Sequence, residues 1–415
     1  MTNKQIYAAI EIADHEVRLV VGEFCDSRFN ILRVERVRFN GIENHTIVNE
    51  SNVVSAIIKA INNAANILGY QIERVLLAIP SVDVLRHSRR VNVAVRNSYG
   101  RVQISDIQRG INEAIMHQPE ENLELVNIGG MKYIVNGISS RKLPLNETCE
   151  SLVMDVDLFY ANKKVVYSYA RCIEKAGLEI LDICLDSYAI AEEAAIFEQT
   201  IDSYVVLLNL ARQSTTLSLF SHGKLLNCDV IYEGYGRWMS ALNEKFGLKS
   251  EHAYRLMRDN ATFKDENMVD RPIFIWAEKE RQKELTLKQL NDTVMPLVSE
   301  WIKMVNDGCQ SILDSGAMKY VLSGEGFEIL GLRNMISQLN SFATIYVPQT
   351  IGGRDASLSV CLGMFYAWKT LNEIRQDSRI CAQQALIDEV LSSAKQNEEE
   401  HGFTKKLKNI LMSEK

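Results

Sequence analysis

The sequence predicts an α/β protein built from two copies of one β-β-β-α unit, with an α+β module inserted in the first copy and an amphipathic helix at the C-terminus. Three observations carry this. Residues 6–39 and 204–231 each read as three strands joined by short turns and followed by a helix; residues 82–162 interrupt the first unit with their own strands and helix; and after residue 372 the chain turns polar before a short basic, apolar segment. With 415 residues, 47% of them apolar and 24% charged, the chain is long enough for two or three cores.

In the first unit the strands are 6–12, 17–24 and 31–39. A helix over 52–68 follows, because Val53, Val54, Ile57, Ile58, Ile61, Ala64, Ala65 and Leu68 recur at helical spacing, with Ser51 or Asn52 as cap and Gly69 as stop. A strand over 74–79 closes this stretch. The inserted module opens with Arg86-His87-Ser88-Arg89-Arg90, a charged run that reads as a solvated strand edge. Ser105-Asp106-Ile107-Gln108 has capping-box form and starts a helix with Ile107, Ile111 and Ile115 on one face. Strands at 132–136 and 151–158 follow, and a helix over 161–176, ended by Gly177, returns the chain to the first unit.

The second unit repeats the pattern with strands at 204–210, 214–220 and 224–231, a Ser221-His222-Gly223 turn and a helix over 236–246. At the same strand-turn junction the first unit reads Glu11-Ile12-Ala13 and the second Asn209-Leu210-Ala211. Residues 287–314 form a long helical region with Leu297, Val298, Trp301, Ile302, Val305 and Ile312 on its apolar side, where Pro296 either kinks the helix or starts its second part. Trp301 is expected in the core. At the C-terminus Phe403, Leu407, Ile410 and Leu411 fall at i, i+4, i+7 and i+8, while Lys405, Lys406 and Lys408 fall elsewhere. A one-sided apolar stripe with flanking lysines, beyond a polar linker, suits an anchor lying in an anionic membrane surface.

The composition excludes several classes. A formal charge of −7 argues against a general nucleic-acid binder. No apolar run approaches the roughly 18 residues of a spanning helix, and the apolar start at Ile6 to Ile10 is too short for a signal peptide, so the chain is expected in the cytoplasm. Eight scattered cysteines without a CxxC pair and seven histidines without HxxxH spacing give no metal site.

Several stretches, in their order, carry a resemblance: Val20-Val21-Gly22-Glu23; Gly41-Ile42 with Ile47; Leu76-Leu77-Ala78-Ile79-Pro80; Glu174-Lys175-Ala176-Gly177-Leu178; Gly234-Tyr235-Gly236, then Phe246-Gly247 and Ala253; Val321-Leu322-Ser323-Gly324-Glu325-Gly326 with Leu330-Gly331-Leu332; and Ile351-Gly352-Gly353 with Leu362-Gly363. The sequence thereby resembles the FtsA family of bacterial cell-division proteins, within the actin-like ATPases of duplicated ribonuclease H-like halves. The resemblance implies subdomain 1A at 1–81, 160–198 and 355–372, an inserted 1C subdomain at 82–159, 2A at 199–235 and 308–354, 2B at 236–307, a linker at 373–400 and the membrane-targeting helix at 401–415. It also implies a filament of the chain with itself, to which the 86–90 run contributes, and a cytoplasmic, peripheral location on the inner face of the cell membrane at the division site. The C-terminal peptide of the tubulin-like FtsZ is the implied partner of 2B, with Lys303 and Asn306 as exposed contacts.

The departures from this family fall on the nucleotide site. Actin-like ATPases carry Asp-x-Gly-Thr/Ser in the first hairpin, since glycine lets backbone N–H groups close on phosphate and the carboxylate organises magnesium. Here the stretch is Glu11-Ile12-Ala13-Asp14-His15, and the second hairpin, roughly Asp-x-Gly-Gly-Gly-Thr in the family, is Asn209-Leu210-Ala211-Arg212-Gln213-Ser214. Tyr254 and Met257 stand where an acid and a lysine approach ribose and base, and Gly324 and Gly326 of the adenosine motif remain. The degenerate site therefore comprises Asp14, His15, Arg212, Gln213, Ser214, Gly324 and Gly326, with no catalytic residue. No cofactor is required; ATP with magnesium stays as the alternative in which Arg212 supplies charge to a phosphate. The rival readings are a PilM-type pilus scaffold, against which the tail argues, and a kinase-like enzyme, which would need intact phosphate loops.

Overall fold

The computed structural model describes residues 4–25, 28–96, 99–116, 120–264, 270–278 and 281–382. The first unit starts with the meander β1 (Lys4–Ile12), β2 (Glu16–Cys25) and β3 (Arg28–Arg38), then a two-residue pair, β4 (Ile42–Glu43) and β5 (Thr46–Ile47), α1 (Glu50–Leu68) and β6 (Arg74–Ile79). The cap of α1 is Asn49, one of several cap-competent residues in Asn49-Glu50-Ser51-Asn52; its side chain accepts the Asn52 N–H at 3.1 Å, so the helix begins before the expected Ser51 or Asn52. Gly69, at φ 81, ends it in the left-handed conformation that glycine adopts without a Cβ clash. Val53, Ile57, Ile61 and the alanines are buried, while Ile58 is 40% exposed on the opposite face.

The inserted module consists of β7 (Leu85–Ala94), α2 (Ile104–Ile115), β8 (Leu123–Val135), β9 (Ile138–Ser140) and β10 (Ser151–Asn162), in the order β7-β10-β8-β9. The charged run 86–90 lies on the edge strand β7. The cap of α2 differs from expectation: the Asp106 carboxylate accepts the Gln103 N–H at 2.9 Å, so the reciprocal pair is 103/106 rather than 105/108. The expected strand at 132–136 is the end of the longer β8. The chain then returns through α3 (Lys163–Lys175), β11 (Glu179–Leu185), α4 (Asp186–Glu193) and α5 (Ile196–Gln199).

The second unit contains β12 (Tyr204–Leu210), β13 (Thr215–Ser221), β14 (Lys224–Ile231), α6 (Tyr235–Phe246), α7 (Ser250–Asn260), the hairpin β15 (Pro272–Glu278) and β16 (Arg281–Thr286), α8 (Leu287–Ser315), β17 (Met318–Ser323) and β18 (Phe342–Ile345). Its sheet order, β14-β13-β12-β17-β18, repeats the β3-β2-β1-β6-β11 order of the first sheet: an antiparallel meander extended by two parallel strands. This topological identity is the duplication expected from the sequence.

Strand alternation joins the two units. On β12, Val205 and Leu207 enter the core of the first unit, whereas Val206, Leu208 and Leu210 enter the core formed with α6 and α8. A third core fills the inserted module. The helix α8 runs through Pro296 without interruption, capped by Thr286 and Gln289, and Trp301 is buried with its indole N–H donating to Thr215 Oγ1 at 2.9 Å.

The last element, α9 (Ser359–Arg375), overruns the expected boundary at 372. Beyond it Ile380, Cys381 and Ala382 are buried, Cys381 N–H donates to the Ile6 carbonyl at 2.9 Å, and the Cys381 carbonyl accepts from Glu73 and Arg74. Residues 373–382 are therefore part of the folded body, not of the linker. Phe403, Lys405, Lys406, Leu407, Lys408, Ile410 and Leu411 lie outside the described residues. All eight cysteines are free. Among the described residues no helix is long and apolar enough to cross a membrane.

Candidate functional site

The duplicated meanders place two equivalent tight turns face to face. In the first, Ala13 N–H donates to the Glu16 carbonyl at 3.0 Å; in the second, Ala211 N–H donates to the Ser214 carbonyl at 2.9 Å. Between such turns an actin-like ATPase would hold phosphate. Here the turns bind each other: Gln213 N–H, the kind of backbone donor a phosphate would use, donates to Asp14 Oδ2 at 2.7 Å. The Gln213 side chain continues the bridge, accepting from Asn44 N–H at 3.0 Å and donating to the Ile42 carbonyl at 3.0 Å. Ser214 Oγ lies 3.0 Å from His45 Nε2. Asn44 and His45 hold this loop with φ of 45° and 63°, the left-handed region.

A buried ionic network fills the rest of the inner cleft. Arg18 donates to Glu16 Oε1 at 2.6 Å, Glu325 Oε2 at 2.7 Å, Glu11 Oε2 at 3.2 Å and the Ser357 carbonyl at 3.3 Å. Arg36 pairs with Glu16 at 2.6 Å and with Asp355 at 2.9 Å. The His15 ring spans Asp14 at 2.6 Å and Glu325 at 3.1 Å. Glu325 comes from the turn after β17, so it ties the second unit to Arg18 and His15 of the first.

The charges respond to these partners. Burial lowers the His15 pKa, but hydrogen bonds to Asp14 and Glu325 outweigh it and raise it to about 9. Burial pushes Glu325 up, and the bond to His15 with the charge of Arg18 reverses this and holds the carboxyl well below its ordinary range. Glu11 is raised by burial to about 7 despite Arg18. His45 is lowered by burial, which keeps its imidazole neutral beside Ser214. Carboxylate and imidazole donors of His15, Glu16 and Glu325 cluster as a metal site would require, but both arginines already bond the two carboxylates.

The sequence-expected residues meet in this cleft. Asp14, His15, Arg212 and Ser214 line its inner space, and Gln213 crosses it. Gly324, at φ +97, lies so close to the second turn that a Cβ would collide with Asn209 and Leu210, and a Cβ on Gly326 would strike Leu210. The second turn's own strand thus occupies the space over these glycines. Arg212 borders both the inner space and a recess of about 280 Å³ that opens toward Arg38, Glu251 and Tyr254. Met257 does not reach this recess; it is fully buried in the second core.

The groups that a magnesium triphosphate would meet in this arrangement are already engaged. The inner cleft itself leaves about 60 Å³, and the recess beside it, also bordered by Arg212, adds about 280 Å³. The first acid is occupied by Arg18, the second is an amide, and the turn N–H of Gln213 is already bonded. Sequence reasoning missed Arg18, Arg36 and His45. Arg18 carried a signal, a lone charge inside the apolar Val17-Arg18-Leu19-Val20-Val21 run.

The expected partner residues on α8 part ways. Lys303 is exposed, but Asn306 is half-buried and committed: its amide donates to the Gln338 carbonyl at 3.0 Å and its Oδ1 accepts from Asn340 N–H at 2.9 Å. Asn306 fastens the 338–340 loop and is not a free contact.

No family model matches the chain. It is 24% identical over 372 residues to the cell division protein FtsA of Bacillus subtilis (strain 168), covering 88% of this chain and 83% of that protein. To the cell division protein FtsA of Enterococcus hirae it is 22% identical over 391 residues, 92% of this chain and 87% of that protein. Among solved structures, a chain of the PilM-PilN type IV pilus biogenesis complex matches with a TM-score of 0.58 at 14% identity, over 88% of this chain and 98% of that one. MreB5 of Spiroplasma citri bound to ADP matches with a TM-score of 0.53 at 9% identity, over 90% and 99%. The chain has the actin-like fold, and it resembles FtsA along nearly its whole length.

Proposed function

We propose that the chain is an actin-like scaffold of bacterial cell division that carries FtsZ filaments to the cytoplasmic membrane and assembles with itself, with weak or absent use of ATP. The observation that carries the reading is the self-bonded cleft, Asp14 to Gln213 with His15 and Arg18 to Glu325, in a chain similar to FtsA over most of its length. A fold that holds its two units together without phosphate needs no nucleotide to stay assembled. It can serve as a platform whose placement is decided by its surfaces and its tail.

In this reading the segment 401–415 is the anchor. Phe403, Leu407, Ile410 and Leu411 enter the headgroup region, and Lys405, Lys406 and Lys408 each add about 1 kcal/mol near anionic lipid. One such helix binds weakly and reversibly, so polymerisation multiplies the hold. The FtsZ C-terminal peptide docks on the α6 to α8 region, where Lys303 is exposed.

The test is co-sedimentation of the full chain with anionic vesicles, together with titration of a fluorescent FtsZ tail peptide. Leu407→Asp should abolish vesicle binding and leave peptide binding intact. Vesicle binding unchanged in that variant would refute the anchor, and no saturable peptide binding at high micromolar protein would refute the partner. A pilus scaffold is the second reading, supported by the likeness in fold to the PilM-PilN complex; it predicts that loss of residues 401–415 does not change lipid binding.

A further inference from the structure

The cleft is one end of the second sheet; the other end is also held. Along β13 and β14 the register runs from Thr215 opposite Ile231 at the cleft to Ser221 opposite Lys224 at the far turn. Thr215 and Ser221 are six residue steps apart along β13, about 20 Å. At the far turn Lys224 Nζ lies 3.0 Å from Asp157 Oδ2, an ion pair without the alignment of a hydrogen bond, and Asp157 belongs to β10 of the inserted module. A second contact lies beside it, where the Arg141 guanidinium donates to the His222 carbonyl.

Asp157 is completely buried. Among the described residues of the module, the Ser88 hydroxyl donates to Oδ1, and Arg86 Nε is 3.4 Å from the same oxygen. Gly130, at φ +56, brings the β8 backbone so close that a Cβ would strike Asp157 Oδ2. The oxygen that remains turns to Lys224 of the other unit. A buried carboxylate is tolerated only with compensating charge; Arg86 supplies it at one oxygen from within the module, and Lys224 of the second unit supplies it at the other. The turn is itself rigid, since Gly223 N–H donates to Thr200 Oγ1 at 2.8 Å and the His222 ring meets the Ile201 carbonyl at 3.1 Å.

We propose that the inserted module is a second clamp, with Lys224–Asp157 and Arg141–His222 as its contacts, so that the angle between the two units is fixed at both ends of β13. Between the two grips the units share a core through Val205, Leu207 and Phe220, and the clamp pins the end of β13 that lies farthest from the cleft. Over about 20 Å of strand, a rotation of about 10° moves the far turn by about 3.5 Å and breaks the ion pair. Neither grip can open without cost at the other. The clamp does not depend on what the chain binds.

Hydrogen exchange of the full chain tests this, with Lys224→Glu, the milder Lys224→Met and Arg141→Ala. The expected result is exchange about tenfold faster at residues 42–47 and 211–216, in the cleft about 20 Å from the changes, with the α8 core around Val298 and Val305 at its wild-type rate. Wild-type exchange in the cleft segments of the variants would overturn the clamp. Equal acceleration in the α8 core would also overturn it, because it would mean general loss of stability. If Lys224→Glu does not fold, Lys224→Met and Arg141→Ala, both at partly exposed positions, carry the test.

Discussion

Arg18 meets three carboxylates and a carbonyl inside the cleft, and its side chain is 6% exposed. Breaking such a buried network by removing one partner leaves the others charged and unpaired, at about 3–5 kcal/mol. Arg18→Ala should therefore lower the unfolding free energy read from a urea titration by an amount of that order, and Arg18→Lys should recover only part, because an ammonium cannot reproduce the planar fork. An unchanged free energy would show that the network is energetically idle. His15 gives the pH dependence. Its folded pKa, about 9, lies above the ordinary 6.5, so its contribution is complete below pH 6.5 and is lost as pH rises through 9. Glu325 runs the other way, with stability present above its ordinary value and lost only in acid. A thermal melt series should show stability falling between pH 6.5 and 9, and His15→Gln should flatten that fall. The degenerate turn residues were legible because the loss of glycine is visible in one dimension. Arg18's partners were not, since Glu16, Glu325 and Ser357 are brought together only by the sheet and the return of the chain to the first unit.

Helix and strand identity were legible wherever an apolar face repeated, as in α1 and α8. Their ends were set by which of several competent residues took the cap. Asn49 displaced Ser51 and Asn52, and Asp106 reached back to Gln103. The C-terminal boundary failed for a related reason: the stretch after residue 372 is polar in composition, yet Ile374 is buried in the core of the inserted module and Ile380, Cys381 and Ala382 in that of the first unit. Three backbone hydrogen bonds hold Cys381 there. Ending the chain at 382 should leave the melting temperature of the body unchanged, whereas ending it at 372 should lower stability by several kcal/mol through lost burial. Equal melting of the two truncations would put residues 373–382 back in the linker. On α8, Asn306→Ala should cost about 1–2 kcal/mol by releasing the 338–340 loop, while Lys303→Glu should leave stability intact and weaken binding of the FtsZ peptide.

At the scale of the molecule, duplication produces two turns that face one another, and phosphate between them would be the usual bridge. This chain bridges them with its own side chains, so its response to nucleotide should be lost. A ligand that binds only the folded state at a hundred times its dissociation constant adds about 2.7 kcal/mol, easily seen in a thermal melt. Here a triphosphate would have to separate Asp14 from Gln213, expel His15 or Arg18 from Glu325, and settle beside the carboxylates it had stripped of their partners. On the second turn Asn209 is neutral and Gln213 N–H would be regained only after its bond to Asp14 is broken, which leaves Arg212 to repay that cost. ATP with magnesium should leave the melting temperature unchanged and give no heat in calorimetry, for the wild type and for Arg212→Gly alike. Arg212 is the group that would argue otherwise, since it borders both the inner space and the outer recess. Tight binding by the wild type that disappears in Arg212→Gly would mean that the cleft opens readily and that one arginine had taken over the work of the missing glycines.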